Sequence, residues 1–521
     1  MRLLPGDGPC RRRDSRSQPM TAQAPIPAGW SWPGDDVRQF GHRTVDIIAD
    51  YLSDLPRRAV FQPYPAEHAR ALATEPVPTR GAPVDAVLKD FVERVAPYPF
   101  GNGHPRFYAW VNSPPHPLGV FAEALAAGMN PSVAGGNHAA VHIEHQVVRW
   151  FADLAGLGDE SMGLLTSGGS MATLTALTVA RHRAARRADI DVRADGLQGH
   201  ARRFLLYLGA EGHGSARKAA ELLGIGSANI RTIASDDHHR MRPDALRDQI
   251  VRDRANGDIP VAVMASAGTV NTGAVDPLDA IADVCAEHRV WLHVDGSYGA
   301  PAVLLLDEHR ATKTALARVD SLAMDPHKWL YAPVDAGLVL IRDRHLARDT
   351  FSLVPPYLRT DGDPDGVNGP VWFSEYGFDQ TRPFRALKVW LLLKHLGTTG
   401  YRDLIAHDIA TADRLASGVR AAPDLQLLAN GLSVVCFRCR PVDWAGDDQA
   451  LDELNREVLS AIQLGGRAFL AGTTVNGVFA LRACVVNPGS SAADADAVLA
   501  ETRAMLSRLA GSPNHDDTSG A

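Results

Sequence analysis

Five short apolar runs dominate the middle of the chain: FLLYLG (204–209), VAVMASA (261–267), WLHVD (291–295), SLAMD (321–325) and GLVLI (337–341). Several are apolar for most of their length instead of alternating, the pattern of a strand covered on both faces. Helical segments such as SARKAAELLG and DPLDAIADVCAEH lie between them. This alternation predicts a mainly parallel α/β sheet with helices on both sides. Such a sheet restricts where chemistry can sit, because its ligand crevice forms outside the carboxyl ends of the strands.

The flanking regions read differently. Residues 35–95 carry helical patterns such as VRQFGHRTVDIIADYLSDL, with a loop around PYPAEHA separating two helices. These helices have no core of their own, so they are expected to pack on later chain or on a partner subunit. PLGVFAEALAAGM and HIEHQVVRWFADLAGL are long helices preceding the sheet. RPFRALKVWLLLKHLG begins a helix joining two domains, and LSVVCFRC and VFALRACVV supply strands of a smaller α+β domain. The expected organisation is an extension (1–34), a helical segment (35–110), a large domain (111–395), a small domain (396–510) and a tail (511–521).

Composition excludes several classes. Lysine plus arginine number 53 against 60 aspartates and glutamates, a net charge of −7, which disfavours a broad nucleic-acid or anionic-membrane surface. RHRAARRADIDVRA is basic but lacks interleaved aromatics, so no nucleic-acid partner is expected. No run approaches the ~18 apolar residues of a membrane span. The five cysteines offer no disulfide framework and fit a reducing, cytoplasmic compartment. Cys436 and Cys439 sit on a strand with side chains pointing to opposite faces. His138, His142, His145 and the DDHH stretch (236–239) contain no H-E-x-x-H motif, and no metal is expected.

Four points in the central domain are read together. TSGGSMATLTALTVARHR places Gly168, Gly169 and Ser170 before a long helix, where a closely curled backbone and helix-terminal N–H groups favour an anion. The stretch is neither a G-x-G-x-x-G nor a G-x-x-x-x-G-K-[ST] loop. His213 lies in a strand-to-helix loop, where a histidine either lies flat against a planar ligand or simply caps the following helix. Asp295 ends an apolar strand, where a carboxylate is costly unless paired. Lys328 lies just beyond another such strand, where a lysine becomes a usable amine nucleophile. A phosphate cup, an acid for a ring nitrogen, a stacking face and a lysine for an aldehyde are the requirements of pyridoxal 5'-phosphate, PLP.

These motifs are also where the chain resembles the PLP-dependent group II amino-acid decarboxylases, the aromatic-L-amino-acid and tyrosine decarboxylase-like members and their bacterial branch in particular, over about residues 35–510. DPHKW (325–329), HVDGSYGA, GHGSARKA, SGGSMATL and ASAGTVNTGAVDPL carry the resemblance. It implies that Lys328 bears the cofactor, with His327 beside it, Asp295 at the ring nitrogen and His213 stacked on the ring. It also implies Gly169 and Ser170 at the phosphate, Ser266 where threonine is usual, and Ser297 where alanine is usual. HPRFYAWVNSPPHP resembles the substrate-pocket segment and implies Trp110, Val111, Asn112 and Ser113 as substrate-binding. PPYLRTDGD resembles the catalytic loop and implies Tyr357 as the proton donor.

The family fold is PLP-dependent fold type I, aspartate aminotransferase-like: a seven-stranded, mainly parallel large domain with a small C-terminal α+β domain. The family is homodimeric, its N-terminal helices wrapping the partner subunit. The activity so implied is decarboxylation of an L-amino acid, an aromatic one, to an amine and carbon dioxide. Phe107, Tyr108 and Trp110 are candidates for an aromatic wall, and apart from Arg106 the pocket segment has no cation for a second acidic group. Related aldehyde synthases commonly carry phenylalanine at the Tyr357 position, so the tyrosine favours the amine. The alternatives are oxidative decarboxylation–deamination to an aldehyde, lyase chemistry on a modified amino acid, and a catalytically silent dimeric binding module.

Overall fold

The computed structural model describes residues 30–101, 103–353, 366–367, 369 and 371–510. Its elements fall into two units, one ending at Asp54 and one beginning at Leu55. The first holds a single helix, α1 (Gly34–Asp54), with Asp35 and Asp36 in its first turn, where the helix dipole favours negative charge.

The second unit begins with α2 (Ala66–Thr74) and α3 (Val84–Asp90), the latter continuing as a short π-helix over Phe91–Val95. The loop expected over PYPAEHA is shorter than its sequence suggests. Pro65 stands at the N-cap of α2, where its missing N–H costs the first turn nothing, and helix starts at Ala66. Next come α4 (Pro117–Met129) and α5 (Ala139–Ala155), each closed by a left-handed residue, Asn130 and Gly156.

The large sheet is built from β1 (Met162–Thr166), α6 (Gly169–Arg187), β2 (Phe204–Gly209), α7 (Ser215–Leu222), β3 (Ile230–Ile233) and α8 (Pro243–Ala255). It continues through β4 (Ile259–Ser266), α9 (Leu278–Glu287), β5 (Trp291–Asp295), α10 (Ala300–Leu305) and α11 (Arg310–Leu316). β6 (Ser321–Met324), β7 (Gly337–Ile341) and α12 (Arg344–Phe351) complete it. The seven strands lie in the order β1-β7-β6-β5-β4-β2-β3. Neighbours from β3 to β6 are parallel, whereas β7 runs antiparallel to both β6 and β1. GLVLI therefore departs from the parallel pattern. Residues 325–336 hold no crossover helix between β6 and β7, and a chain that returns directly must reverse its direction.

The smaller layer comprises α13 (Ala386–Ala421), β8 (Leu425–Gly431), β9 (Val434–Cys439), α14 (Asp448–Leu464), β10 (Ala471–Val475), β11 (Val478–Cys484) and α15 (Ala492–Ala510). Its antiparallel sheet has the order β10-β11-β9-β8. One hydrophobic core surrounds the seven-stranded sheet, and a second joins β9 and β11 to α13, α14 and α15. Cys436 belongs to the first core and Cys439 to the second, so the two thiols point to opposite faces of β9 as expected; both are free. In the basic stretch, Arg183 pairs with Asp320, Arg186 with Asp349, and Arg187 donates to Arg289 O. The DDHH turn is closed by Asp236, whose carboxylate accepts from the backbone N–H groups of His238 and Arg240, both at 2.9 Å. Among the described residues no helix is long and apolar enough to cross a membrane.

One buried ion pair sets the edge of the sheet that leads to the crevice. Glu144 of α5 accepts the Leu165 N–H at 3.0 Å and pairs with Arg382, which also donates to Val133 O (3.0 Å) and Leu165 O (2.7 Å). Losing either partner would strand a buried charge, a change that typically costs about 3–5 kcal/mol.

Candidate active site

A cavity of about 530 Å³ opens at the carboxyl ends of the parallel strands. Its floor follows from strand register. Ser266 ends β4 opposite Asp295 at the end of β5, and Asp295 is level with Ala323 of β6, two residues before Asp325. Neighbouring strands thus deliver a hydroxyl and two carboxylates side by side.

Asp295 is half-buried at the cavity floor, and its desolvation pushes its carboxyl up. The Ser297 side chain and the positive charge of Lys328 outweigh that push and hold it below the usual carboxylate range. The Ser297 backbone N–H adds a hydrogen bond to Asp295 Oδ1 at 3.0 Å. Behind Asp295, His293 receives a hydrogen bond from, or gives one to, Ser321 Oγ at 2.8 Å, and burial lowers its ring to about 4. It is therefore neutral at pH 7.

Lys328 Nζ lies 2.9 Å from Asp325 Oδ2. The turn that carries it is pinned from below by Asp408 of α13, whose Oδ2 accepts from Trp329 Nε1 at 2.9 Å and Tyr331 Oη at 2.8 Å. Burial raises Asp408 to about 7 despite these bonds. Trp329 also stacks on Tyr298, centroids 4.8 Å apart, and Tyr298 Oη meets Ser433 Oγ at 2.6 Å. His327 accepts the Ala336 N–H at Nδ1 (3.0 Å), and burial lowers its ring, with Asp325 pulling the other way.

The walls complete the anion and ring sites. Gly168 (φ 153°) and Gly169 turn β1 into α6, and a Cβ on Gly169 would run into Ser297 Oγ. Only glycine lets the helix start so near the floor. His213 Nδ1 accepts the Ser215 N–H at 3.1 Å, which leaves Nε2 as the nitrogen free to donate. Ser266 N donates to Asp276 Oδ2 at 2.7 Å, and burial lifts the Asp276 carboxyl to about 6.

Lys328, His327, His213, Gly169, Ser170, Ser266, Asp295, Ser297, Trp110, Val111 and Asn112 all line this one cavity. Ser113 does not. It is buried behind the wall and donates to His327 O at 3.3 Å, so it touches the lysine segment and not the cavity. Tyr357 lies outside the described residues. Of the three candidate wall aromatics, Phe107 and Tyr108 are buried in the hydrophobic cores, and Trp110 alone reaches the cavity, stacked on Phe100 (5.0 Å, 17°).

The small layer adds a rim that no local motif announced. Ala471, Gly472 and Thr473 of β10 and Arg482 of β11 line the cavity, as does Asn271 of the loop after β4. Arg482 NH1 donates to Trp110 O at 2.9 Å and Nε to Asn271 O at 3.2 Å, while NH2 is buried with no partner among the described residues. The pocket is thus not without a free cationic edge, contrary to what its own segment suggests. The signal available in the sequence was a charged residue inside the apolar run VFALRACVV, costly unless bonded.

The residues fit PLP. A glycine-cradled helix terminus suits the phosphate, an ionised carboxylate suits a protonated ring nitrogen, and an amine stands beside both. Comparison with known proteins agrees. Residues 65–440 match the model of the pyridoxal-dependent decarboxylase conserved domain. An aromatic-L-amino-acid decarboxylase of Bacillus atrophaeus is 35% identical over 478 residues, covering 91% of this chain and 96% of its own. A phenylacetaldehyde synthase of Arabidopsis thaliana is 27% identical, covering 87% and 92%. The crystal structure of Oryza sativa TDC with PLP and tryptamine superposes with a TM-score of 0.85 at 28% identity, covering 92% of this chain and 99% of that one.

Proposed function

The chain belongs to the pyridoxal-dependent decarboxylase family, and from that premise we propose that it converts an aromatic L-amino acid into the corresponding amine and carbon dioxide. The observation that carries this reading is Trp110, which stands in one cavity with Lys328, Asp295 and His213. The bacterial relative at 35% identity supports placing the chain near the bacterial aromatic-amino-acid branch.

Lys328 holds PLP through its amine, Gly169 and Ser170 with the N-terminus of α6 take the phosphate, and Asp295 serves the ring nitrogen. When bound, PLP supplies an electron sink for the pair released as the Cα–carboxylate bond breaks. Asp295 stays ionised in a dry site, where a fixed negative charge acts most strongly. His213, its Nδ1 tied to Ser215, restricts the tilt of a planar group against it. His327, Ser266 and Ser297 close the wall around that group. Trp110, Val111 and Asn112 receive the substrate side chain, and Ser113 steadies this segment against the lysine turn. Tyr357 delivers a proton to Cα after carbon dioxide leaves.

Two further parts belong to this reading. The enzyme is a cytoplasmic homodimer divided at about residues 110 and 395. Phe121, Leu125 and Met129 form one exposed apolar stripe on α4, at the four-residue spacing of a face awaiting a partner. The free, buried cysteines suit a reducing compartment. Arg482 favours a second substrate class, amino acids with an acidic side chain, because its buried NH2 has no partner among the described residues.

The test is a panel of aromatic, aliphatic and acidic amino acids given to the PLP-loaded enzyme, with amine, aldehyde, ammonia and peroxide measured. Aromatic amine without peroxide is expected. Near-stoichiometric peroxide with no amine overturns the amine reading in favour of aldehyde synthesis, and amine from acidic substrates alone selects the Arg482 reading. Tyr357→Phe should lower amine output on the order of 10²-fold and raise the aldehyde fraction.

A further inference from the structure

Asp325 is the least satisfied acidic group in the cavity wall. It is 2% exposed, its Oδ2 lies 2.9 Å from Lys328 Nζ and 3.8 Å from His327 Nε2, and its Oδ1 is buried with no partner among the described residues. The backbone leaves it little freedom. Asp325 N–H donates to Ser297 O at 3.2 Å, and Lys328 N–H donates back to Asp325 O at 2.9 Å. A buried carboxylate with an idle oxygen is expensive, and the turn itself requires only the backbone bonds.

The other charges nearby are differently engaged. Asp295 is held by Ser297, with neutral His293 behind it. Lys388, which acts on His327 from α13, is paired with Glu123. His213 is bonded to Ser215, and Arg482 to two carbonyls. Asp295 also feels the Lys328 charge, but among the described residues Asp325 alone forms an ion pair with the Lys328 nitrogen at contact distance.

We propose that Asp325 is the resident counter-ion of Lys328: a positioning residue that fixes Nζ in the cavity and keeps a proton on that nitrogen, both when the amine is free and when it holds the cofactor. This rests on the reading of Lys328 as the cofactor lysine. An opposite charge within about 4–6 Å favours a protonated nitrogen by about 1–3 pH units, so the wall carboxylate sets the pH range over which the site stays protonated.

The test is a pH titration of the bound cofactor's visible absorbance. Asp325→Asn keeps the shape and removes the charge, and its midpoint should fall by about 1–3 pH units. Asp325→Glu, which restores the charge, should recover at least half of that shift. A midpoint unmoved in Asp325→Asn overturns the proposal, since a merely structural role would lower thermal stability and leave the titration in place. Should Asp325→Asn not fold, the smaller Asp325→Ser takes its place in the same titration, and an unmoved midpoint there overturns the proposal equally. A parent protein that binds PLP without a pH-dependent band, or whose band survives Lys328→Ala, overturns the reading of Lys328 and this proposal with it. A parent band lost in Lys328→Ala but unmoved in Asp325→Asn overturns the Asp325 role alone.

Discussion

The floor and the rim of the cavity are made by different means. On the floor, Ser266, Asp295 and the Asp325–Lys328 turn stand together because β4, β5 and β6 are adjacent, in-register strands. On the rim, Trp110, Asn271, Thr473 and Arg482 meet through side-chain hydrogen bonds, one pair of them 372 residues apart in sequence. Backbone ladders fix the floor, and nearly every charge there has a partner. The rim depends on a guanidinium reaching two carbonyls. Removing the lysine from the floor should therefore abolish chemistry and cofactor attachment, whereas a change in the rim should alter substrate affinity and spare the cofactor.

The sharpest division comes from Lys328→Ala. Turnover should fall by on the order of 10³-fold or more, with loss of covalent PLP attachment but unchanged far-UV dichroism. Retained activity would dissolve the floor as a catalytic unit. Next in size is Arg482→Met. It removes the donor to Trp110 O and Asn271 O and should cost roughly 10- to 100-fold in kcat/KM, chiefly through KM, with the PLP absorbance intact. A matching loss of PLP would show that rim and floor are not separable.

The third effect is on stability and concerns the support under the floor. Asp408 has a folded pKa of about 7, above its ordinary 3.8. The folded state binds this proton more tightly, so its contribution to stability is fully present below pH 3.8 and is lost as pH rises through about 7. Unfolding free energies from urea titrations of the parent and Asp408→Asn, measured across that window, should shift relative to each other by roughly 4 kcal/mol in favour of the variant as pH rises. His104 and His293, lowered to about 4, act in the opposite sense in both proteins and cancel in the comparison. Parallel curves would remove Asp408 as a titrating support.

The same division explains what could be read from the sequence. Lys328, Asp295, His213 and Gly169 lie in short contiguous motifs, each beside a recognisable strand or helix end, and the sheet brings all four together. The rim has no such local signature. Nothing within VFALRACVV says which cavity Arg482 enters, because its partners, Trp110 and Asn271, are distant in sequence. Ser113 sits in the right segment but turns away from the cavity, its hydroxyl engaged by His327 O. The strand β3, IRTI, has no clear apolar signature because an edge strand buries only Ile233 fully.

The segment before Trp110 has a consequence for the birth of the protein. Tyr108 N–H donates to Phe469 O, and Cys484 N–H donates to Tyr108 O, both at 2.8 Å, so this stretch bonds to a sheet layer whose own residues are translated much later. At about 5–20 residues per second, the 372 residues between Trp110 and Arg482 take roughly 20–75 seconds to emerge from a ribosome. Through that interval Phe107 waits without Phe469, the ring it stacks on at 5.3 Å. Over that interval the nascent chain carries an unpaired edge, and the catalytic pocket cannot close until β11 has been made.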